Sequence, residues 1–134
     1  MRNLILIIDD EFIILESLRI QLERFLPEEV EVEAAYSGEE AFELLDDIQS
    51  ENWNLLVVVS DYNLGDMKGT EVLSRVMEKF PGTRRILLSG QAGSDEEIES
   101  YIRETRLDLF LSKPWDLGEL REKIGGFIKE KAGE

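Results

Sequence analysis

Apolar residues fall along this chain in five short runs: Leu4–Ile8, Val30–Tyr36, Leu55–Val59, Ile86–Leu88 and Leu107–Leu111. Four of them are nearly continuous, the pattern of parallel strands covered on both faces. The second differs, because Val30, Val32 and Ala34 alternate with Glu31 and Glu33. That alternation suits a strand with one wet side and predicts a place at a sheet edge.

Between the runs the apolar spacing becomes helical. Leu15, Leu18, Leu22 and Phe25 recur at three- and four-residue steps, and Leu44, Leu45 and Ile48 line a second segment. Ser37 followed by Glu40 has capping-box spacing at the start of that second helix. Val72, Leu73, Val76, Met77 and Phe80 define a third, stopped by Pro81-Gly82. Ser94-Asp95-Glu96-Glu97 opens a fourth, with Ile98, Tyr101 and Ile102 inward. Asp116, with Glu119 three residues on, opens a fifth lined by Leu117, Leu120, Ile124, Phe127 and Ile128. The order is (βα)5, which requires a doubly wound α/β fold: a mostly parallel five-stranded sheet with helices on both faces. One domain is expected over 1–134, with a core over 1–128 and a polar tail over 129–134.

Charge narrows the function. Fifteen Lys and Arg against 30 Asp and Glu leave a net charge of -15, which opposes binding to nucleic acid phosphates or anionic lipid. It suits a basic partner or a divalent cation, although a solvated acidic surface accounts for most of the carboxylates. The absence of Cys and His removes thiolate metal sites, His-based acid–base chemistry and a histidine phosphocarrier. The run after Met1-Arg2-Asn3 is too short for a signal peptide and meets Asp9 at once. No stretch approaches a membrane span, and a cytoplasmic setting is expected.

Ligands of open α/β sheets bind beyond the carboxyl ends of the strands. Here those ends carry Asp9-Asp10-Glu11, Ser60-Asp61, Ser89-Gly90 and Ser112-Lys113-Pro114. Asp9, Asp10 and Asp61 crowd three negative charges together, a conflict that a hard cation with oxygen ligands resolves. Lys113 supplies an ammonium, Ser89 a hydroxyl, and Gly90 leaves room for a bulky anion. Taken singly each has a plainer account: an Asp capping the first helix, a solvated Lys, a Ser-Gly turn. The Lys113-Pro114 bond is a candidate for the cis form.

The motifs Ile7-Ile8-Asp9-Asp10-Glu11, Ser60-Asp61-Tyr62-Asn63-Leu64-Gly65-Asp66-Met67-Lys68-Gly69, Leu88-Ser89-Gly90 and Phe110-Leu111-Ser112-Lys113-Pro114-Trp115 together resemble the receiver domains of two-component response regulators along nearly the full chain. The resemblance implies a flavodoxin-like sheet of order 2-1-3-4-5 and a signalling switch rather than an enzyme, one that assists only its own phosphorylation and dephosphorylation. It implies Asp61 as phosphoacceptor, with Asp10, Asp61 and the Asn63 backbone carbonyl holding Mg²⁺ and Asp9 acting mainly through a metal-bound water. Ser89 and Lys113 would contact the phosphoryl group, and Phe110 would be the switch aromatic. Asn63 and Gln91, flanking the site, would tune hydrolysis. The implied partners are a sensor histidine kinase or histidine phosphotransfer protein, and either an effector protein or an output domain outside this sequence, with a homodimer possible on phosphorylation. Two residues depart from the family's common pattern. Gly65 stands where Pro is frequent, which predicts a looser loop, and Phe110 stands where Tyr is frequent, which removes a phenolic hydrogen bond.

Three other readings stay open on the residues alone. A Mg²⁺-dependent phosphatase with an aspartyl-phosphate intermediate uses similar groups, but resembles a pattern with first-strand acids two residues apart, and here they are adjacent. An adaptor working only through its surface leaves Asp10, Asp61, Ser89 and Lys113 without a purpose. A flavin binder shares the topology, but the anionic Asp9-Asp10-Glu11 loop is wrong for cradling phosphate without metal. Arg103, Arg106, Arg121 and Lys123 gather on the face of the fourth helix, fifth strand and fifth helix, the expected output face; ordinary charge balance on helix faces is the simpler account of them.

Overall fold

In a computed structural model, residues 2–90 and 96–132 are described. Five strands, β1 (Asn3–Ile8), β2 (Val30–Ala35), β3 (Asn54–Asp61), β4 (Arg84–Ser89) and β5 (Leu109–Ser112), alternate with five helices. These are α1 (Phe12–Phe25), α2 (Gly38–Ser50), α3 (Gly69–Lys79), α4 (Glu96–Thr105) and α5 (Leu117–Ala132). All strand pairs are parallel, in the order β2-β1-β3-β4-β5. This is the doubly wound sheet expected from the hydrophobic pattern, with β2 at an edge.

Alternation along the central strands splits the core in two. Leu4, Leu6 and Ile8 of β1 pack under α2, α3 and α4 with Leu45, Ile48, Leu73, Val76 and Ile98. Ile5 and Ile7 pack on the other face against Leu15, Leu18 and Leu22 of α1 and Leu120 and Ile124 of α5. The β1–β3 register slips by one residue between Leu4 and Ile5, whose partners are Leu55 and Val57, so Leu56 bulges out of the ladder. On β2 the wet side is occupied by Glu31 and Glu33, both 3.0 Å from the Arg2 guanidinium, which itself lies over the Trp53 ring.

Helix ends explain where the elements start and stop. Ser37 accepts the Glu40 amide at the head of α2, and Asp116 accepts the Glu119 amide at the head of α5, as their spacing predicts. Ser94 and Asp95, expected to open the fourth helix, lie outside the described residues. The tails of α2 and α4 turn on left-handed residues, Asn52 (φ 56°) and Arg106 (φ 54°). The following amides, Trp53 and Leu107, reach back to the Ile48 and Ile102 carbonyls. Leu107 is thereby spent on the turn, and β5 begins at Leu109, two residues later than the apolar run suggests. Residues 129–132 continue α5, and Glu130 pairs with Arg84 of β4. Among the described residues no helix is long and apolar enough to cross a membrane.

Candidate functional site

The carboxyl ends of β1, β3, β4 and β5 meet at one rim. Asp9 follows β1 and is fully buried, Asp61 closes β3 and is 6% exposed, and Asp10 is exposed. One oxygen from each lies within 4.8 Å of the others. Cross-strand hydrogen bonds hold the tips in place: Asp9 N–H donates to Ala35, Tyr62 N–H to Leu88 and Lys113 N–H to Ser89. The Lys113-Pro114 bond is cis.

Lys113 sits between the buried acids, its Nζ 2.6 Å from Asp9 and 2.9 Å from Asp61. The other Asp9 oxygen accepts the Glu11 amide at the start of α1. Asp9 therefore holds the turn into α1 and partners the ammonium, while α1 itself, with Glu11 as its cap residue, has no side-chain cap bond. Both Asp9 oxygens are engaged, whereas Lys113 takes one oxygen of Asp61. Burial pushes the Asp61 carboxyl above its ordinary range; the Lys113 hydrogen bond opposes this, and the charges of Asp9 and Asp10 add to it. Burial pulls the Lys113 ammonium down, but its bonds to Asp9 and Asp61 prevail and hold it above the ordinary lysine value.

Next to Asp61 opens a pocket of about 190 Å³ bounded by Glu11, Tyr62, Asn63, Lys68, Ser89, Gly90 and Lys113, several times the roughly 30 Å³ that one water occupies in the liquid. Ser89 is buried at the tip of β4, and a Cβ added at Gly90 would meet nothing within 4 Å among the described residues. Phe110 is half-buried on the α4 side of the sheet. Its partner across the ladder is Leu87, two residues before Ser89 on the same face. Gln91 lies outside the described residues.

The loop from Asp61 to α3 is pinned, where the sequence predicts a looser one. Gly65 has φ 85°, a conformation closed to proline, whose ring fixes φ near −65°. A Cβ there would come within 3.3 Å of the Asp10 carboxylate. The Asn63 side-chain oxygen accepts the Gly65 amide, Leu64 N–H donates to Met67 and Gly69 N–H to Tyr62. Asp66 reaches across to α2 and accepts the Gly38 and Glu39 amides, each at 3.0 Å. Those two backbone bonds hold its carboxyl below the usual range. Gly69 is obligatory, since a Cβ there would overlap the Asp61 carbonyl oxygen. Asp66 and Lys68 lie inside the motif that carries Asp61, and their residue types alone point to no role there.

The donor set fits a hard divalent ion: carboxylate oxygens converging from two adjacent strands, with an exposed acid at the mouth and no nitrogen or sulfur ligand. Comparison with known proteins agrees with the architecture. Residues 5–125 match the family model for the response regulator receiver domain. The chain is 30% identical over 120 residues to the hydrogenase transcriptional regulatory protein HoxA of Bradyrhizobium diazoefficiens, covering 90% of this chain and 23% of that relative. It is 26% identical over 129 residues to the cell cycle response regulator CtrA of Brucella ovis, covering 96% of this chain and 51% of that one. It thus spans about a quarter to a half of these curated relatives. The signal receiver domain of an HD domain-containing protein from Pseudomonas fluorescens Pf-5 superposes with a TM-score of 0.82 at 28% identity, over 100% of both chains. The chain belongs to the response regulator receiver domain family.

Proposed function

We propose that this chain is a phosphorylation-activated switch of a two-component phosphorelay, in which Asp61 takes a phosphoryl group from a phosphohistidine on a sensor histidine kinase or a histidine phosphotransfer protein. The observation that carries the reading is the convergence of Asp9, Asp10 and Asp61 within 4.8 Å, with the Lys113 ammonium 2.9 Å from Asp61. An Asp61 oxygen bonds to phosphorus as the phosphorus–nitrogen bond breaks, and the electron pair leaves on the ring nitrogen. Such transfer asks for position and charge stabilisation more than for covalent chemistry. Lys113 supplies a cation and Ser89 a hydroxyl for the phosphoryl oxygens. Mg²⁺, held by Asp10, Asp61 and the Asn63 carbonyl, would neutralise the charge that gathers on those oxygens.

The acyl phosphate adds roughly one to two negative charges at the rim. Drawing Ser89 towards it opens space on the face it shares with Phe110. Moving a population from 1:99 to 99:1 takes about 5.5 kcal/mol, within reach of two or three charge-assisted hydrogen bonds at about 1.5–3 kcal/mol each. Packing alone drives Phe110, which has no hydroxyl. The donor protein has a docking face at the head of α1, where Phe12 and Ile13 are 63% and 79% exposed and Phe12 stacks on Tyr36. Output passes through α4, β5 and α5 to an effector protein, to an output domain outside this sequence, or through a homodimer. One domain over 1–134 and a cytoplasmic setting belong to the same reading.

Mass spectrometry after incubation with Mg²⁺ and a small phosphodonor tests it. One added phosphoryl group is expected on the wild type and none at the equivalent position of Asp61→Asn. A wild type that remains unmodified ends the proposal.

A further inference from the structure

Lys68 is placed where a lysine costs α3 stability. It is the N-cap residue and makes no side-chain cap bond; an N-cap wants an acceptor, and the helix dipole there disfavours a cation. The residue is half-buried and lines the Asp61 pocket. Yet in a chain with 30 carboxylates its ammonium lies within 4.0 Å of none among the described residues, whereas that of Lys113 lies that close to three. Partly buried cations normally find an anion.

Its position is fixed nonetheless. A backbone bridge sets Lys68 opposite Asn63 across the loop. The Nζ lies 4.7 Å above the centre of the Tyr62 ring, a cation–π contact that holds it beside the residue after Asp61. Lys113, by contrast, is already engaged by Asp9 and Asp61, so an arriving phosphoryl group must compete for it.

Resting on the reading of Asp61 as acceptor, we infer that Lys68 is a second cation for the phosphoryl group, binding a phosphoryl oxygen in addition to Lys113 and setting the affinity for anionic phosphodonors. It is a specificity residue at the mouth of the site, held ready by Tyr62 rather than by an acid.

Beryllofluoride, a phosphoryl mimic, tests this when titrated at saturating Mg²⁺ with fluorine NMR as the readout. Lys68→Met keeps an unbranched stem over Tyr62 and removes the charge. It is expected to bind beryllofluoride about tenfold more weakly than wild type, the scale of one charge-assisted hydrogen bond, with Lys68→Arg staying close to wild type. Mg²⁺ alone, titrated separately, should bind Lys68→Met at least as tightly, because a like charge near the ion has gone. Equal beryllofluoride affinity in wild type and Lys68→Met overturns the inference and leaves the acceptor reading standing. So does a parallel loss of Mg²⁺ and beryllofluoride affinity, which marks a disturbed loop. A wild type that takes no beryllofluoride overturns the acceptor reading and the inference with it.

Discussion

The Lys113 ammonium lies 2.6 Å from the Asp9 carboxylate, across 104 positions of sequence, and Asp9 is sealed from solvent. Removing the cation leaves Asp9 buried beside Asp61 with only the Glu11 amide to offset it. Lys113→Met is therefore expected to lower stability by about 3 kcal/mol in metal-free protein, the scale of a broken buried pair. Mg²⁺ should restore more stability to this variant than to wild type. Urea unfolding with and without Mg²⁺ measures both, and a loss below about 1 kcal/mol would show that the amide alone satisfies Asp9.

Asp66 ties the loop after β3 to the head of α2 through two amides. Asp66→Ala should cost about 1 kcal/mol at neutral pH, the usual size of a lost cap. Because the folded carboxyl titrates below its ordinary value of 3.8, its charged form contributes stability above that value. That contribution disappears as pH falls through the folded pKa. Asp66→Asn keeps an acceptor without the charge, so its deficit against wild type should shrink on acidification. Urea midpoints of the two proteins along an acid series give the answer; a deficit that grows towards low pH contradicts the assignment.

Two glycines of the site should respond oppositely to alanine. At Gly69 the new Cβ overlaps the Asp61 backbone oxygen, which cannot turn aside as a side chain can. Gly69→Ala is expected to cost about 3 kcal/mol and to displace the acceptor. At Gly90 nothing among the described residues stands within 4 Å, so Gly90→Ala should stay within about 0.5 kcal/mol of wild type. Thermal melts of the pair decide it, and similar losses in both would contradict the packing described.

Much of this was legible in residue order, for reasons that are local. Continuous apolar runs announce covered parallel strands, and the Glu31 and Glu33 alternation announces an edge. The Ser37 and Asp116 caps act on amides three residues away, within reach of spacing rules. Polar residues at strand tips gave the acid cluster, because the topology brings those tips together whatever the intervening helices contain. What escaped was non-local. Asp66 finds its amides 27 and 28 positions away, and no spacing rule says which loop meets which helix. Lys68 carries no signal of its own in the sequence, and only the folded loop brings it over Tyr62. Gly65 reads as slack, whereas its positive φ lets the loop close against Asp10.

Helix α5 carries adjacent glycines, Gly125 and Gly126, inside its span, and among the described residues nothing lies within 4 Å of where either Cβ would stand. Glycine in a helix interior costs roughly 0.5–1 kcal/mol relative to alanine. Gly125→Ala and Gly126→Ala are each expected to raise stability by about that amount in chemical denaturation, and a loss at either would reveal a contact that the alanine obstructs.

The bulge at Leu56 has a consequence for how the chain tolerates change in length. Leu55 and Val57 face opposite cores while pairing with consecutive residues of β1, so the surplus residue is absorbed at the base of the strand and the segment leading to Asp61 keeps its facing. The tip is thus insulated from the foot: a relative lacking that one residue could run a straight ladder there and still present its acid at the rim.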